Sequence, residues 1–141
     1  EKATEIGIDE ITPIICDNSE RKVVKLERLS KIIQSAMKQS LQFTLPKLNA
    51  PIKFSGFIKQ PFTEEVFIAH CEDNIEKKTL KNIATKNSKH TILIGPEGDF
   101  SSKEIEKALT ANFRPISLGE NRLRTETAGL NVVQNIAFIN Q

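Results

Sequence analysis

The sequence predicts a single α/β domain, a parallel sheet covered by helices on both faces. Three observations carry that expectation. Compact apolar runs recur at Val66–Cys71, Thr91–Ile94 and Pro115–Leu118, and they are continuous rather than alternating, as strands buried on both faces are. Segments with helical grammar separate these runs, so strand and helix alternate along the chain. The 141 residues, 38% hydrophobic and 27% charged, suffice for one full core and leave little room for two.

Each element has its own warrant. Ala3–Gly7 reads as the end of a helix, with Gly7 placed for the left-handed closing position. Ile8–Cys16 is expected to be a strand that Pro13 makes irregular or confines to an edge. Asp17–Glu20 is a polar turn. Lys22–Leu41 has the clearest helical pattern, because Leu26, Leu29, Ile33, Met37 and Leu41 recur at three- and four-residue spacing, widened by Ile32 and Ala36. Gln42–Phe57 contains Pro46 and Pro51 and is expected to be a loop with a short extended piece. Val66–Cys71 follows as a strand, Thr79–Lys86 as a short helix and Thr91–Ile94 as a second strand. Ser101 stands three residues before Glu104, the spacing of a capping box, and Ile105 and Leu109 supply the buried face. Asn112 is placed to close that helix. Pro115–Leu118 is the next strand, and the last helix, Thr125–Phe138, is expected to bury Leu130, Val133, Ile136 and Ala137.

Composition removes several classes. No apolar run approaches a membrane span in length. Cys16 and Cys71 both fall in strand-like apolar runs, so neither a disulfide framework nor a zinc site is expected, and a reducing cytoplasm is the expected location. His70 reads as a core histidine and His90 as exposed; with the two cysteines they lack metal-ligand spacing, so no metal is expected. A nucleophile elbow and a dinucleotide fingerprint are both missing. Net charge is +2: residues 1–40 carry 7 basic and 7 acidic groups, residues 41–94 carry 8 and 5, and residues 95–141 carry 5 and 6. Nucleic-acid affinity from such a balance is expected to be weak, or to depend on something beyond this chain.

Two segments follow strand ends, where ligands of parallel α/β sheets bind. Ile94-Gly95-Pro96-Glu97-Gly98-Asp99-Phe100 has glycines that permit close backbone approach and a proline that stiffens the turn. It lacks the lysine of a phosphate-cradling loop and carries two carboxylates, which disfavours a triphosphate and tolerates a neutral or cationic ligand. The second segment, Leu118-Gly119-Glu120-Asn121-Arg122-Leu123-Arg124-Thr125-Glu126-Thr127, concentrates arginines, threonines and glutamates at a helix start. Thr125 is a candidate cap for that helix. Taken alone, each segment also reads as an ordinary turn before a capped helix.

Together they resemble one family. Gly95-Pro96-Glu97-Gly98, followed by Leu118-Gly119 and Leu123-Arg124-Thr125-Glu126-Thr127-Ala128, is similar to the paired motifs of the RsmE family of SPOUT-class methyltransferases. Lys2-Ala3-Thr4-Glu5-Ile6-Gly7 resembles the opening of that family's catalytic domain, and Ala36 with Gln39-Ser40 matches its helix motif. The sequence departs from the pattern at Lys38, which precedes Gln-Ser in place of an acidic residue. Asn121 stands in place of an arginine, and Asp99 in place of a second glycine.

The resemblance implies an S-adenosylmethionine-dependent enzyme that methylates N3 of a specific uridine in 16S ribosomal RNA of the small ribosomal subunit. It implies an α/β fold with a C-terminal trefoil knot, a homodimer, and a family N-terminal PUA-type barrel that is absent from residues 1–141. Cofactor contacts are expected from Ile94, Gly95, Pro96, Glu97, Gly98, Leu118, Gly119, Leu123 and Thr125. A cationic sulfonium suits the acidic, lysine-free first loop. Because N3 of uridine must lose a proton, the site needs a base or a cation facing the developing anion. Arg124 is the candidate cation and Glu126 the candidate for orienting it or taking the proton. The alternative is a non-catalytic module that binds cofactor or RNA and assists assembly.

Overall fold

The computed structural model describes residues 1–141. Helix α1 (Lys2–Ile6) ends at Gly7, whose φ of 115° lies in the left-handed region and whose N–H closes onto the carbonyls of Ala3 and Thr4. The expected strand over Ile8–Cys16 is two strands instead, β1 (Glu10–Ile11) and β2 (Ile14–Ile15). They part at Thr12-Pro13, because proline has no N–H to continue a ladder. The segment expected to be mostly loop supplies their partners. β3 (Lys47–Leu48) pairs with β1 and β4 (Ile52–Lys53) with β2, both parallel. Asn49 ties this layer together by donating to Glu10 Oε1 and Thr12 Oγ1.

Helix α2 (Leu26–Gln39) starts four residues later than the apolar spacing predicts, and Leu41 lies outside it at φ 58°, 81% exposed. Ile33 and Ala36 are its buried residues. A helical turn, α3 (Phe54–Phe57), precedes the central sheet. That sheet contains β5 (Glu65–Ala69), β6 (Lys78–Thr79), β7 (His90–Ile94) and β8 (Arg114–Ser117), all parallel, in the order β6-β8-β5-β7. The expected helix Thr79–Lys86 contracts to α4 (Leu80–Ile83), since Lys78 and Thr79 pair with β8. α5 (Ser102–Thr110) has the predicted capping box, and Asn112 closes behind it at φ 69°. α6 (Thr125–Ile139) is the last element.

Residues of β5 feed both faces. Val66 and Ile68 pack with Leu93, Phe100, Ile105 and Phe113 on one side, and Phe67 packs with Leu80, Ile116 and Val132 on the other. Burying these side chains on two faces is why the run is continuous rather than alternating. α6 lies against α1, α4 and β7. Its buried residues are Ala128 and Val132, whereas Leu130, Val133, Ile136 and Ala137 are only half-buried. The helix is apolar nearly all round, so residue spacing did not fix which stripe faces the core.

Two further expectations need correction. His90 is buried at the start of β7, its side chain 3% exposed, stacked 6.1 Å from the Phe67 ring and 3.0 Å from Glu65 Oε2. Glu65 also accepts from Thr85 and Arg114, and the Arg114 guanidinium lies 4.6 Å over Phe67, which makes this edge a structural lock. Cys71 lies beyond the end of β5 and is exposed; Cys16 is buried, and both thiols are free. No helix is long and apolar enough to cross a membrane.

Candidate functional site

Parallel strands bring their carboxyl ends to one edge, and Ala69 of β5 pairs there with Ile94 of β7 and Ile116 of β8. Three loops leave that edge: residues 70–77, 95–101 and 118–124. The middle loop is held from both sides. The Asp99 N–H donates to the Pro96 carbonyl at 2.8 Å, and Asp99 takes φ 63°. Its Oδ2 accepts from the Cys71 N–H at 2.9 Å, tying the loop to the one after β5. From the other side, Asn18 Nδ2 donates to the carbonyls of Gly98 and Asp99 at 3.2 and 3.1 Å.

This packing changes the role of Gly95. A Cβ there would lie 3.1 Å from the Phe100 amide nitrogen and 3.2 Å from Asp99 Oδ1 and the Phe100 ring. Gly95 is therefore glycine because the loop folds onto it, not solely because a ligand must approach. Gly98 is similar, with Asn18 Cβ 3.0 Å from the added atom. Glu97 is exposed at the tip and has no ion-pair partner.

The loop after β8 has a different character. Gly119 adopts φ 121° over open space, so its backbone angle alone requires glycine. Its N–H donates to Ser117 Oγ at 3.3 Å. The amides of Leu118, Glu120, Asn121, Arg122, Leu123 and Arg124 donate to no acceptor in the chain. Leu118 and Leu123 are half-buried, and Leu118 packs with Ile94 against the Phe67 cluster. A run of free donors beside an apolar wall can hold a flat, hydrogen-bonding ligand.

Thr125 is not the cap of α6. Arg124 occupies that position without a side-chain cap bond, and Thr125 Oγ1 donates instead to the Gly95 carbonyl at 2.9 Å. Ile94, Gly95, Leu118 and Thr125 are thus brought together, whereas Glu97, Gly98 and Gly119 lie on exposed turns around them. Arg124 and Glu126 are exposed at the mouth and do not pair with each other.

Sequence reasoning placed His70 in the core, where the structure finds it, and missed Asn18. His70, first residue after β5, is buried; Nδ1 accepts from the Glu72 N–H at 3.1 Å, which leaves the ring proton on a buried Nε2 without a partner. Burial, then the Lys77 ammonium, push its pKa below the ordinary value. Asn18 was hidden because its partner Gly98 lies 80 residues away in sequence.

The donor set suits S-adenosylmethionine. Free amides offer hydrogen bonds, and the first loop, with Glu97 and Asp99 and no basic residue, favours a cation. No group of three histidine, cysteine or acidic side chains is arranged to hold a metal ion.

Fold and site together define an RNA methyltransferase domain, and residues 1–137 match the family model of that description. A curated relative, the ribosomal RNA small subunit methyltransferase E of Rickettsia conorii, is 32% identical over 97% of this chain. A crystal structure of a probable rRNA-methyltransferase from Porphyromonas gingivalis superposes with a TM-score of 0.91 at 42% identity, covering 99% of this chain and 59% of that one. The ribosomal RNA small subunit methyltransferase E of Neisseria gonorrhoeae, bound to S-adenosyl methionine, gives 0.84 at 29% identity, covering 98% and 58%. The chain belongs to the ribosomal RNA small subunit methyltransferase E family, the RsmE family of the motifs above. It spans 57% of the length of the Rickettsia relative.

Proposed function

We propose that this chain is the catalytic domain of an S-adenosylmethionine-dependent methyltransferase acting on N3 of a uridine in 16S ribosomal RNA of the small subunit. The observation that carries the reading is the set of unpaired amides at Leu118 and 120–124, set beside the Thr125–Gly95 hydrogen bond at the carboxyl edge of the sheet. The Neisseria relative, solved bound to S-adenosyl methionine, supports the choice of cofactor.

Bound there, the cofactor would supply an electrophilic methyl group on a sulfonium that departs as a neutral thioether. The amides of Leu118 and of residues 120–124 would orient it, Ile94 and Leu118 would shield it from water, and Glu97 would complement its charge. Uridine N3 loses its proton and the ring gains negative charge. Arg124 at the mouth stabilises that charge, worth about 3–4 kcal/mol for a well-placed donor at such a site. Glu126, in the first turn of α6, orients Arg124 or takes the proton when RNA closes the mouth.

The reading extends to a trefoil knot, with α6 drawn beneath the loop that Thr125 touches, and to a homodimer through the half-exposed apolar face of α6. It also places the protein in the cytoplasm with the ribosome. A further RNA-binding domain of the PUA type fits the modest charge of this chain, because phosphate contacts dominate RNA affinity.

The test is transfer of labelled methyl from S-adenosylmethionine to small subunits lacking the modification. Transfer that maps to uridine N3 is expected. No transfer at saturating cofactor would overturn the enzyme reading and leave a binding module.

A further inference from the structure

The three loops present an awkward partner for RNA. Glu97, Glu120 and Glu126 offset Arg122 and Arg124 around the mouth, and residues 95–141 carry 5 basic against 6 acidic groups, so the mouth has no positive excess. A polyanion must be held from beside them. The structure supplies one neighbour in direct contact, the segment that follows β2. Its Asp17 N–H donates to Glu104 Oε2 at 3.2 Å, Asp17 Oδ2 accepts from the Ser101 hydroxyl at 2.6 Å, and Asn18 holds Gly98 and Asp99. This clamp grips the loop expected to hold the cofactor.

Immediately beyond the clamp the charge changes. Residues 20–31 contain Arg21, Lys22, Lys25, Arg28 and Lys31 against Glu20 and Glu27. All five cations are exposed, and only Lys31 has an ion-pair partner, Glu27 at 3.4 Å. Lys25, Leu26, Glu27, Arg28, Lys31 and Ile32 share one shallow, solvent-open face at the start of α2. The first turn of α2 borders it, adding the positive end of a helix dipole. Averaged over residues 1–40 these cations vanish into a neutral total; in the fold Lys25, Arg28 and Lys31 share one face, and Arg21 and Lys22 are exposed on the segment that leads into it.

Resting on the RNA-methyltransferase reading, we infer that Arg21, Lys22, Lys25 and Arg28 form the phosphate-docking arm of this domain, placed beside the cofactor loop by the Asn18 clamp. Arginines suit bidentate phosphate contacts, and unpaired cations release bound counterions at no cost in lost ion pairs. Asn18 acts through the arm as a positioning residue.

The experiment compares the protein with Arg21→Gln/Arg28→Gln and with Lys81→Gln/Lys86→Gln, a charge-matched control on exposed residues of another surface. Binding to unmethylated small subunits is measured across salt concentrations, with cofactor affinity measured separately. The arm variant should bind RNA about tenfold more weakly, with a log–log salt slope shallower by about 1.4–1.8, since each of the two phosphate contacts contributes about 0.7–0.9. Its cofactor affinity should be unchanged. Asn18→Ala, which frees the arm without removing charge, should keep the slope and raise KM for RNA. If the unmodified protein transfers no methyl, the enzyme reading fails. If it transfers methyl and the arm variant matches the control, the arm alone is overturned, and an unchanged KM in Asn18→Ala overturns its positioning role.

Discussion

The Thr125 hydroxyl donates to the Gly95 carbonyl at 2.9 Å, joining the first residue of α6 to the first residue after β7 across 30 positions. Gly95 is buried, so removing the donor leaves a carbonyl without a partner. Thr125→Val should cost about 1–3 kcal/mol of stability and weaken cofactor binding, while Thr125→Ser keeps the bond and most of both. Denaturant midpoints and calorimetry of the two variants check this.

The two loop glycines should fail in different ways. Gly95→Ala forces its new Cβ against the Phe100 backbone, so the loop itself must shift, at about 1–3 kcal/mol and with lowered cofactor affinity. Gly119→Ala meets nothing, yet it holds an L side chain at φ 121°, costing about 1–3 kcal/mol through the backbone. Crystal structures of the variants should show a displaced Phe100 in the first and an altered φ in the second.

Much of this was legible in sequence because the signals were local. The capping box at Ser101 and Glu104, the left-handed closures at Gly7 and Asn112, and the doubly buried run in β5 each depend on neighbours a few residues apart. The two site loops were legible as motifs. Local patterning did not show the clamp from Asn18 to Gly98, the Thr125–Gly95 bond or the pairing of β1 with β3, because each joins distant segments. α6 was misphased for the opposite reason: with apolar residues on nearly every side, no periodic contrast remained to identify its buried stripe.

The two cysteines should react at very different rates. Cys71 is exposed, whereas Cys16 is buried and its pKa is raised to about 12, by burial first and then by Glu104. A thiol reagent at neutral pH should label one site quickly and the other only on unfolding. Because the Cys71 amide is bonded to Asp99, bound cofactor or its demethylated product should slow the fast phase.

Acid should weaken the fold in two stages. Burial, then Lys77, hold the folded pKa of His70 below 6.5, so the unfolded chain takes up that proton first. The stability tied to the neutral ring is complete above 6.5 and declines below it. The Thr91 hydrogen bond holds Glu64 below the ordinary 4.5. Burial works to raise Glu65, but Thr85, His90 and Arg114 overcome it and hold this carboxyl low as well. Their contribution is present above 4.5 and is lost as pH falls through the folded values. Denaturation midpoints across pH should show both stages, and His70→Gln should abolish the upper one.

The outer face of α6 should report association. Phe138 is 71% exposed. Phe138→Glu should shift a dimer toward monomer in sedimentation at micromolar concentration, leaving the monomer folded.

The strand order also has a consequence for the order in which the protein is made. β5 takes one partner from residues 90–94 and the other from residues 114–117. During synthesis Val66-Phe67-Ile68 therefore leaves the ribosome with neither neighbour in existence. At about 5–20 residues per second, roughly 3–10 s pass before both are available. For that interval the future centre of the core is a bare, sticky strand, and shielding it falls to whatever meets the nascent chain.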